Sequence, residues 1–492
     1  MTRDLRRLLA TAIFLTIAGF ATAQPPGQAS EDAPPTATGW KIKFDGSGSN
    51  PVIVDAVLYV GSADGAVYAL ESKTGETKWR FQTGESLSPA TSGSQVITMP
   101  RGTSIVDPMA AGINAAERQR GEGIRRVDMT PAVKNGTVFI GSGDQSFYAI
   151  DAATGKKKWS YVAGPGMASS NFTSYPVPAA VLKNGTGYFV TEDGLHALDA
   201  LTGKRKWLFE TLKEIPIKEM NLGRKRAPEG PVLGDGVIFL TAWPYILSEA
   251  SKTGFLYAVD PESGKAKWVT SVAGLDITAP TTAKGLVFFA VEEPAALTSP
   301  SNRVTLYAIN AAGGQVRWNF GAEKGYGTPQ LLIADNTIYF RTGKSLFALE
   351  LETGRQLSSF SADEISAGLW ADDRHLYVVT HKGSIMRPKD TLHALALTTG
   401  QEKWSRGLNA RIAMVHDGVV YADGEQLHAI DAATGKELWS FKGTGRESAR
   451  LISGGRIFLT SLTVSYFGAK RVDQGYLYAI DAKTGKLNPS LI

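Results

Sequence analysis

None of the 492 positions of this chain is a cysteine. The protein therefore forms no disulfide, offers no thiolate to a metal, carries no haem-attachment motif and presents no N-terminal cysteine for acylation. Histidine is scarce at six residues, and His375, His381 and His416 lack the spacing of metal ligands. Beyond the N-terminus no apolar run approaches the ~20 residues that cross a bilayer as a helix. Charge of one sign is also lacking. The whole chain carries a net +5, and +3 (49 basic against 46 acidic) once residues 1–23, with three arginines and one aspartate, are set aside. That balance does not predict nucleic-acid binding. Segments with a helical hydrophobic period are missing as well.

What is present begins with a leader. Arg3, Arg6 and Arg7 precede a mostly apolar stretch from Leu8 to Phe20, and Ala21-Thr22-Ala23 supplies small residues for cleavage before Gln24. Residues 1–23 read as a signal peptide. Residues 24–38 hold four prolines among Gly, Ser, Thr and acidic residues, the composition of a flexible linker. The sequence places the protein in the periplasm or outside the cell.

From residue 39 onward one phrase recurs: aromatic-Ala-aliphatic-Asp, two residues, Thr-Gly, three residues, Trp. Tyr148-Ala149-Ile150-Asp151, Thr154-Gly155 and Trp159 form a complete copy; His428-Ala429-Ile430-Asp431, Thr434-Gly435 and Trp439 form another. Nine clear copies occur, and Ser104-Ile105-Val106-Asp107-Pro108 with Gly112 is a fainter tenth. Trp40, Trp79, Trp159, Trp207, Trp268, Trp318, Trp404 and Trp439 belong to the phrase, eight of the ten tryptophans in the chain. Ser358 stands in the tryptophan place of one copy, and Pro489 in the last.

Self-similarity at this period signals a repeat architecture. Between copies, short apolar runs are separated by Asn-Gly and Asp-Gly pairs, such as Asn135-Gly136, Asn184-Gly185, Asp235-Gly236 and Asp417-Gly418. These supply the positive φ angles of tight hairpins. Each repeat thus reads as about four short antiparallel strands. One such sheet cannot bury both faces and leaves two open edges, and radial stacking around an axis solves both problems. The expectation is an all-β chain, a single closed β-propeller over residues 39–492. Thr38-Gly39-Trp40 with Phe44 supplies the half-repeat missing from the C-terminal copy, so the strand near Trp40 is expected to close the ring. The motif Asp is expected to bond turn amides, and the Trp to fill the wedge between sheets.

These copies resemble the pyrroloquinoline-quinone (PQQ) repeat, Ala-x-Asp-x-x-Thr-Gly-x-x-x-Trp, of the quinoprotein alcohol dehydrogenase-like propellers. The resemblance spans residues 39 to 487 and implies a ring with eight blades as the usual number. It implies two functional branches. One comprises dehydrogenases of alcohols or sugars that hold PQQ and calcium in the central funnel beside a catalytic aspartate. The other comprises non-catalytic propellers of the BamB type, which assist outer-membrane barrel assembly. Many dehydrogenases of the family stack the quinone on a disulfide of adjacent cysteines, which this chain lacks, and no calcium set of Glu, Asn and Asp stands out. The reading adopted from the sequence is an exported, non-catalytic binding or scaffold protein, monomeric, with an envelope protein or small ligand as partner. The alternative is a PQQ- and calcium-dependent dehydrogenase.

Functional residues on a repeat scaffold concentrate in its longer connections. Three stand out: Arg101 to Arg126, with Arg118, Arg120, Arg125 and Arg126; Glu210 to Glu229, with Arg224, Lys225 and Arg226; and Ala242 to Thr253, with Trp243. The basic residues are candidates for a partner surface. Trp243 is the candidate to stack on a flat ligand, with capping of its own sheet as the alternative. Trp370 falls at a strand position and reads as core. His196, His393 and His428 occupy the aromatic place of the motif and read as structural. No catalytic residue and no metal ligand is assigned.

Overall fold

The computed structural model describes residues 39–45, 48–84, 127, 129–163, 180–191, 193–211, 228–243, 253–274, 276–293, 303–323 and 328–487, with short interruptions at 363, 366–367, 385–386, 409, 425, 444–445 and 468–469. All regular elements among them are strands, and they form nine separate antiparallel sheets. Blades 1 to 8 are consecutive meanders over residues 52–82, 132–162, 181–210, 229–273, 276–323, 330–361, 370–407 and 410–441. In blade 5 the first strand is split, and Asp276–Ile277 and Thr281–Ala283 both pair with Leu286–Glu292. Blade 9 takes three strands from residues 446–481 and its fourth, Trp40–Asp45, from the other end of the chain. The nine clear copies of the repeat thus correspond to nine blades, one more than the family norm. The fainter copy at Ser104–Gly112 lies outside the described residues.

The first hairpin of a blade shows how sequence sets backbone. Asn135 and Gly136 have φ of 49° and 65°, and Asp417 and Gly418 have 47° and 73°. Two successive left-handed residues are what a type I′ turn requires. Not every Asp-Gly pair does this. Asp423 and Gly424 end the strand Val419–Gly424 without positive φ, because the pairing of Arg411 with Asp423 and Ala410 with Gly424 keeps them extended.

The motif alanine and tryptophan face each other across the last hairpin. Ala69 pairs with Trp79, Ala149 with Trp159, Ala258 with Trp268 and Ala429 with Trp439. A one-residue register shift follows each of these pairs, the signature of a β-bulge. A methyl group opposite the indole leaves it room to lean out of the sheet. Each indole then rests on an aromatic ring of its own blade's second strand, as Trp79 on Tyr59 and Trp159 on Phe139, both at 5.9 Å.

Apolar clusters link each blade to the next around the whole series. One spans blades 1 to 3 through Trp79, Phe139, Ile150 and Phe189. Others join 3 to 4, 4 to 5, 5 to 6, 6 to 7, 7 to 8 and 8 to 9. The last joins blade 9 to blade 1: Trp40, Phe44, Phe458 and Leu477 pack with Leu58, Val60 and Leu70. Trp40 pairs with Ala479 and Asp45 with Gln474, so the strand near Trp40 completes the last blade as its sequence requires.

Candidate functional site

Antiparallel meanders put alternate connections at the same end of every blade. The tight first hairpins and the Thr-Gly turns share one face, here the turn face. The connections between second and third strands, and those between blades, share the opposite, loop face. All three long stretches singled out from the sequence belong to the loop face. Arg118, Arg120, Arg125, Arg126, Arg224, Lys225 and Arg226 lie outside the described residues. Trp243 is half-buried beside the blade 4–5 core, its ring 3.2 Å from where a Cβ on Gly254 would sit. Trp370 is half-buried against the cores at blades 7–8 and 8–9.

On the turn face the motif residues are fully engaged. Asp151 accepts from the Thr154 amide at 2.9 Å and its hydroxyl at 2.8 Å. Asp199 does the same with Thr202, Asp431 with Thr434 and Asp481 with Thr484. Except at Trp207, each motif indole N–H donates into the next blade: Trp79 to the Ala152 carbonyl at 2.9 Å, Trp268 to Ala311 at 3.0 Å and Trp439 to Ala482 at 3.2 Å. Trp40 bonds the Ser72 carbonyl at 3.0 Å in blade 1, extending the series across the chain ends. The motif glycine is the other half of this contact. Gly155, at φ +71°, brings its backbone so near Trp79 that a Cβ would lie 2.7 Å from the indole. A side chain there would meet both strain and collision.

Two interfaces depart from the pattern. Trp207 Nε1 is buried and has no acceptor among the described residues, while the Pro261 carbonyl accepts from the Tyr188 hydroxyl at 2.9 Å. Between blades 6 and 7, Ser358 packs on Gly400 and Tyr339 donates to the Leu397 carbonyl at 3.0 Å. In both, a second-strand tyrosine takes the bond that an indole makes elsewhere.

The histidines make local bonds. His196 Nε2 lies 2.9 Å from the Thr191 hydroxyl, and its ring stacks on Phe189. Burial, assisted by the positive charge of Arg205, pushes its pKa down to about 4, so it is neutral at pH 7. His393 bridges Thr380, 2.9 Å from Nε2, and Glu402, 2.7 Å from Nδ1, and this bond to His393 lowers the pKa of Glu402. Hydroxyl, imidazole and carboxylate in line have the connectivity of a hydrolytic triad. Blade 3 repeats the hydroxyl–imidazole pair as Thr191 and His196, with Arg205 at the place of the carboxylate. The arrangement therefore follows the repeat, tying the third strand to the second. His428 meets Glu437 at 3.2 Å, and Glu437 also meets Arg406 at 2.9 Å.

One concave feature among the described residues is a groove of about 360 Å³ between the outer strands of blades 1 and 2. Phe81 and Tyr148, in edge contact at 5.5 Å, form its wall, with Asp144, Ser160, Lys156 and Lys157 around it. Burial and the Asp144 hydrogen bond raise the Tyr148 pKa to about 12, so this phenol is a hydrogen-bond donor at neutral pH. The repeat phrase does not single these residues out. The Asp-x-x-x-Tyr spacing of Asp64 to Tyr68 and Asp144 to Tyr148 is the signal that would have found them. Among the described residues no three acidic or histidine side chains gather into a metal-holding group.

A sequence profile for PQQ repeats, described as outer membrane protein assembly factor BamB, matches residues 29–126, 118–227, 195–361, 327–406 and 388–488. A tetrathionate hydrolase of Acidithiobacillus ferrooxidans is 24% identical over 68% of this chain and 70% of its own length. BamB of Burkholderia pseudomallei is 31% identical over 23% of this chain and 29% of its own. The quinohemoprotein alcohol dehydrogenase ADH-IIG of Pseudomonas putida is 26% identical over 26% and 21%. The chain thus spans less than a third of the length of these last two relatives. The profile covers nearly all of the ring, and the chain belongs to this PQQ-repeat family.

Proposed function

We propose that this member of the PQQ-repeat family is an exported, non-catalytic scaffold of the cell envelope, BamB-like, which binds a partner protein or small ligand through its loop face. One observation carries the reading: the two faces are used differently. On the turn face the motif aspartates, threonines, glycines and tryptophans are spent on holding neighbouring blades together. The strand ends that flank the long connections all lie at the other face of the rigid ring. The leader-like N-terminus accords with export to the periplasm or beyond. The basic residues Arg224, Lys225 and Arg226 are the proposed centre of the partner surface. Pull-down from envelope extracts tests this. Charge reversal at the three positions should abolish capture of a partner seen with wild type, and unchanged capture would remove the loop from the reading.

A second reading follows from the alignment to an enzyme, the tetrathionate hydrolase, over 68% of this chain, and from the dehydrogenase relative. Under it the loop face surrounds a reaction site. PQQ, held with calcium, would supply hydride-accepting chemistry there. Incubation of the purified protein with PQQ and calcium, and separately with tetrathionate, discriminates the readings. Saturable thermal stabilisation accompanied by dye reduction or tetrathionate loss would replace the scaffold with an enzyme.

A further inference from the structure

The turn face is electrically two-sided. In blades 2 and 3 its turns carry eight cations against two carboxylates, a net of +6. In blades 6, 7 and 8 they carry nine carboxylates against four cations, a net of −5. In a nine-blade ring the middle of the first sector and the middle of the second are diametrically opposed.

Internal pairing consumes part of each sector and leaves the rest exposed. Lys158 and Lys206 are tied to Asp151 and Asp199 at 3.3 and 3.7 Å. Lys156, Lys157 and Lys204 are exposed beside them, and Leu201, 82% exposed, stands among them. Across the ring Glu350 is tied to Arg355, Glu402 to His393 and Glu437 to Arg406. Asp335, Glu352 and Asp417 are exposed there.

We propose that this face docks on the same face of a second copy of the chain, forming a two-fold dimer in which each basic sector meets the partner's acidic sector. A two-fold axis lying in the interface along the bisector of the two sectors exchanges them, so that each copy's basic sector faces the other's acidic one. A flat anionic membrane would satisfy the lysines but press Asp335, Glu352 and Asp417 against like charge. Only a partner with the mirror distribution satisfies both halves, and this chain is one. Among the described residues the turns of this face are all tight, and none of them projects to keep two copies apart. Exposed ion pairs hold weakly and are screened over about 10 Å at 0.1 M salt, so the dimer is expected to be salt-sensitive. This replaces the monomer expected from sequence, and it is independent of the loop-face function.

Sedimentation velocity on the full chain tests the proposal. At about 50 mM salt the 52.6 kDa chain should show twice its mass, returning to one chain near 0.5 M, where the screening length is shorter still. The variant K156E/K157E/K204E should be monomeric, as should D335K/E352K/D417K. An equimolar mixture of the two should recover the doubled mass, and so should one chain carrying all six reversals, which also shows that the variants fold. A wild type monomeric at low salt, or a dimer indifferent to either reversal, overturns the proposal. So does lysine-dependent binding to anionic vesicles by a protein that stays monomeric.

Discussion

At the scale of the residue, the repeat is a division of labour around one contact. Alanine makes room, glycine lets the next blade approach, and tryptophan fills the space and donates a hydrogen bond. Trp79 and Trp207 separate packing from hydrogen bonding, since both rest on a tyrosine but only Trp79 reaches a carbonyl. Replacing an indole by phenylalanine removes the N–H and part of the ring at either place. The Trp79→Phe change additionally forfeits a bond worth about 1 kcal/mol, whereas Trp207→Phe relieves a buried donor without an acceptor. Chemical denaturation should therefore find Trp79→Phe the more costly of the two by about that amount, and equal costs would contradict the assigned bonds. The role of each motif residue was legible in the spacing. The failure at Trp207 was not, because it depends on which side chain reaches the Pro261 carbonyl.

At the scale of the element, the strand Trp40–Asp45 is the least local piece of the fold. Its partner, Lys470–Asp481, lies at the far end of the chain, and its two large side chains, Trp40 and Phe44, are 2% and 5% exposed. Burying two such rings contributes roughly 3–6 kcal/mol, and losing the strand also leaves an open edge on blade 9. Deletion of residues 39–45 should lower the thermal midpoint by about 3–6 °C, at roughly 1 °C per kcal/mol for a chain of this size. An unchanged midpoint would mean that the ring does not depend on this closure. The half-repeat at Trp40 announced the pairing in advance. The long hairpins His375–Ser384 with Arg387–Ala396, and Arg456–Phe467 with Lys470–Asp481, were less legible. Their outer pairs continue past the repeat with no turn signal to mark the change.

At the scale of the whole molecule, acid stability follows from groups distributed around the ring. His196 has its pKa lowered from 6.5 to about 4, first by burial. Between those values the unfolded chain binds a proton that the fold excludes, so stability is lost as pH falls through this window. The shift corresponds to roughly 3 kcal/mol at full effect. Asp151, Asp199, Asp260 and Asp431 have pKa values below the ordinary carboxylate value, chiefly through bonds from the turn's Thr or Ser. Their contribution is present above pH 4 and is lost as pH falls below it. Thermal midpoints measured from pH 7 to pH 3 should decline in two stages. His196→Phe should flatten the first stage and leave the second, and an unaltered first stage would refute the part given to His196.

The sequence by itself determined that this chain is all-β, that it repeats, where its hairpins turn, and that its two ends share a blade. These follow from local chemistry: left-handed Asn-Gly pairs, period-two strands, and an indole that must find a neighbouring wedge. Tertiary structure decided what no local pattern encodes. It gave Tyr188 the carbonyl that Trp207 lacks, and carried the charged turns of blades 2–3 and 6–8 to opposite sides of one face. Those outcomes depend on the angle at which blades pack and on how many complete the circle, quantities that exist only once every sheet has met its neighbours.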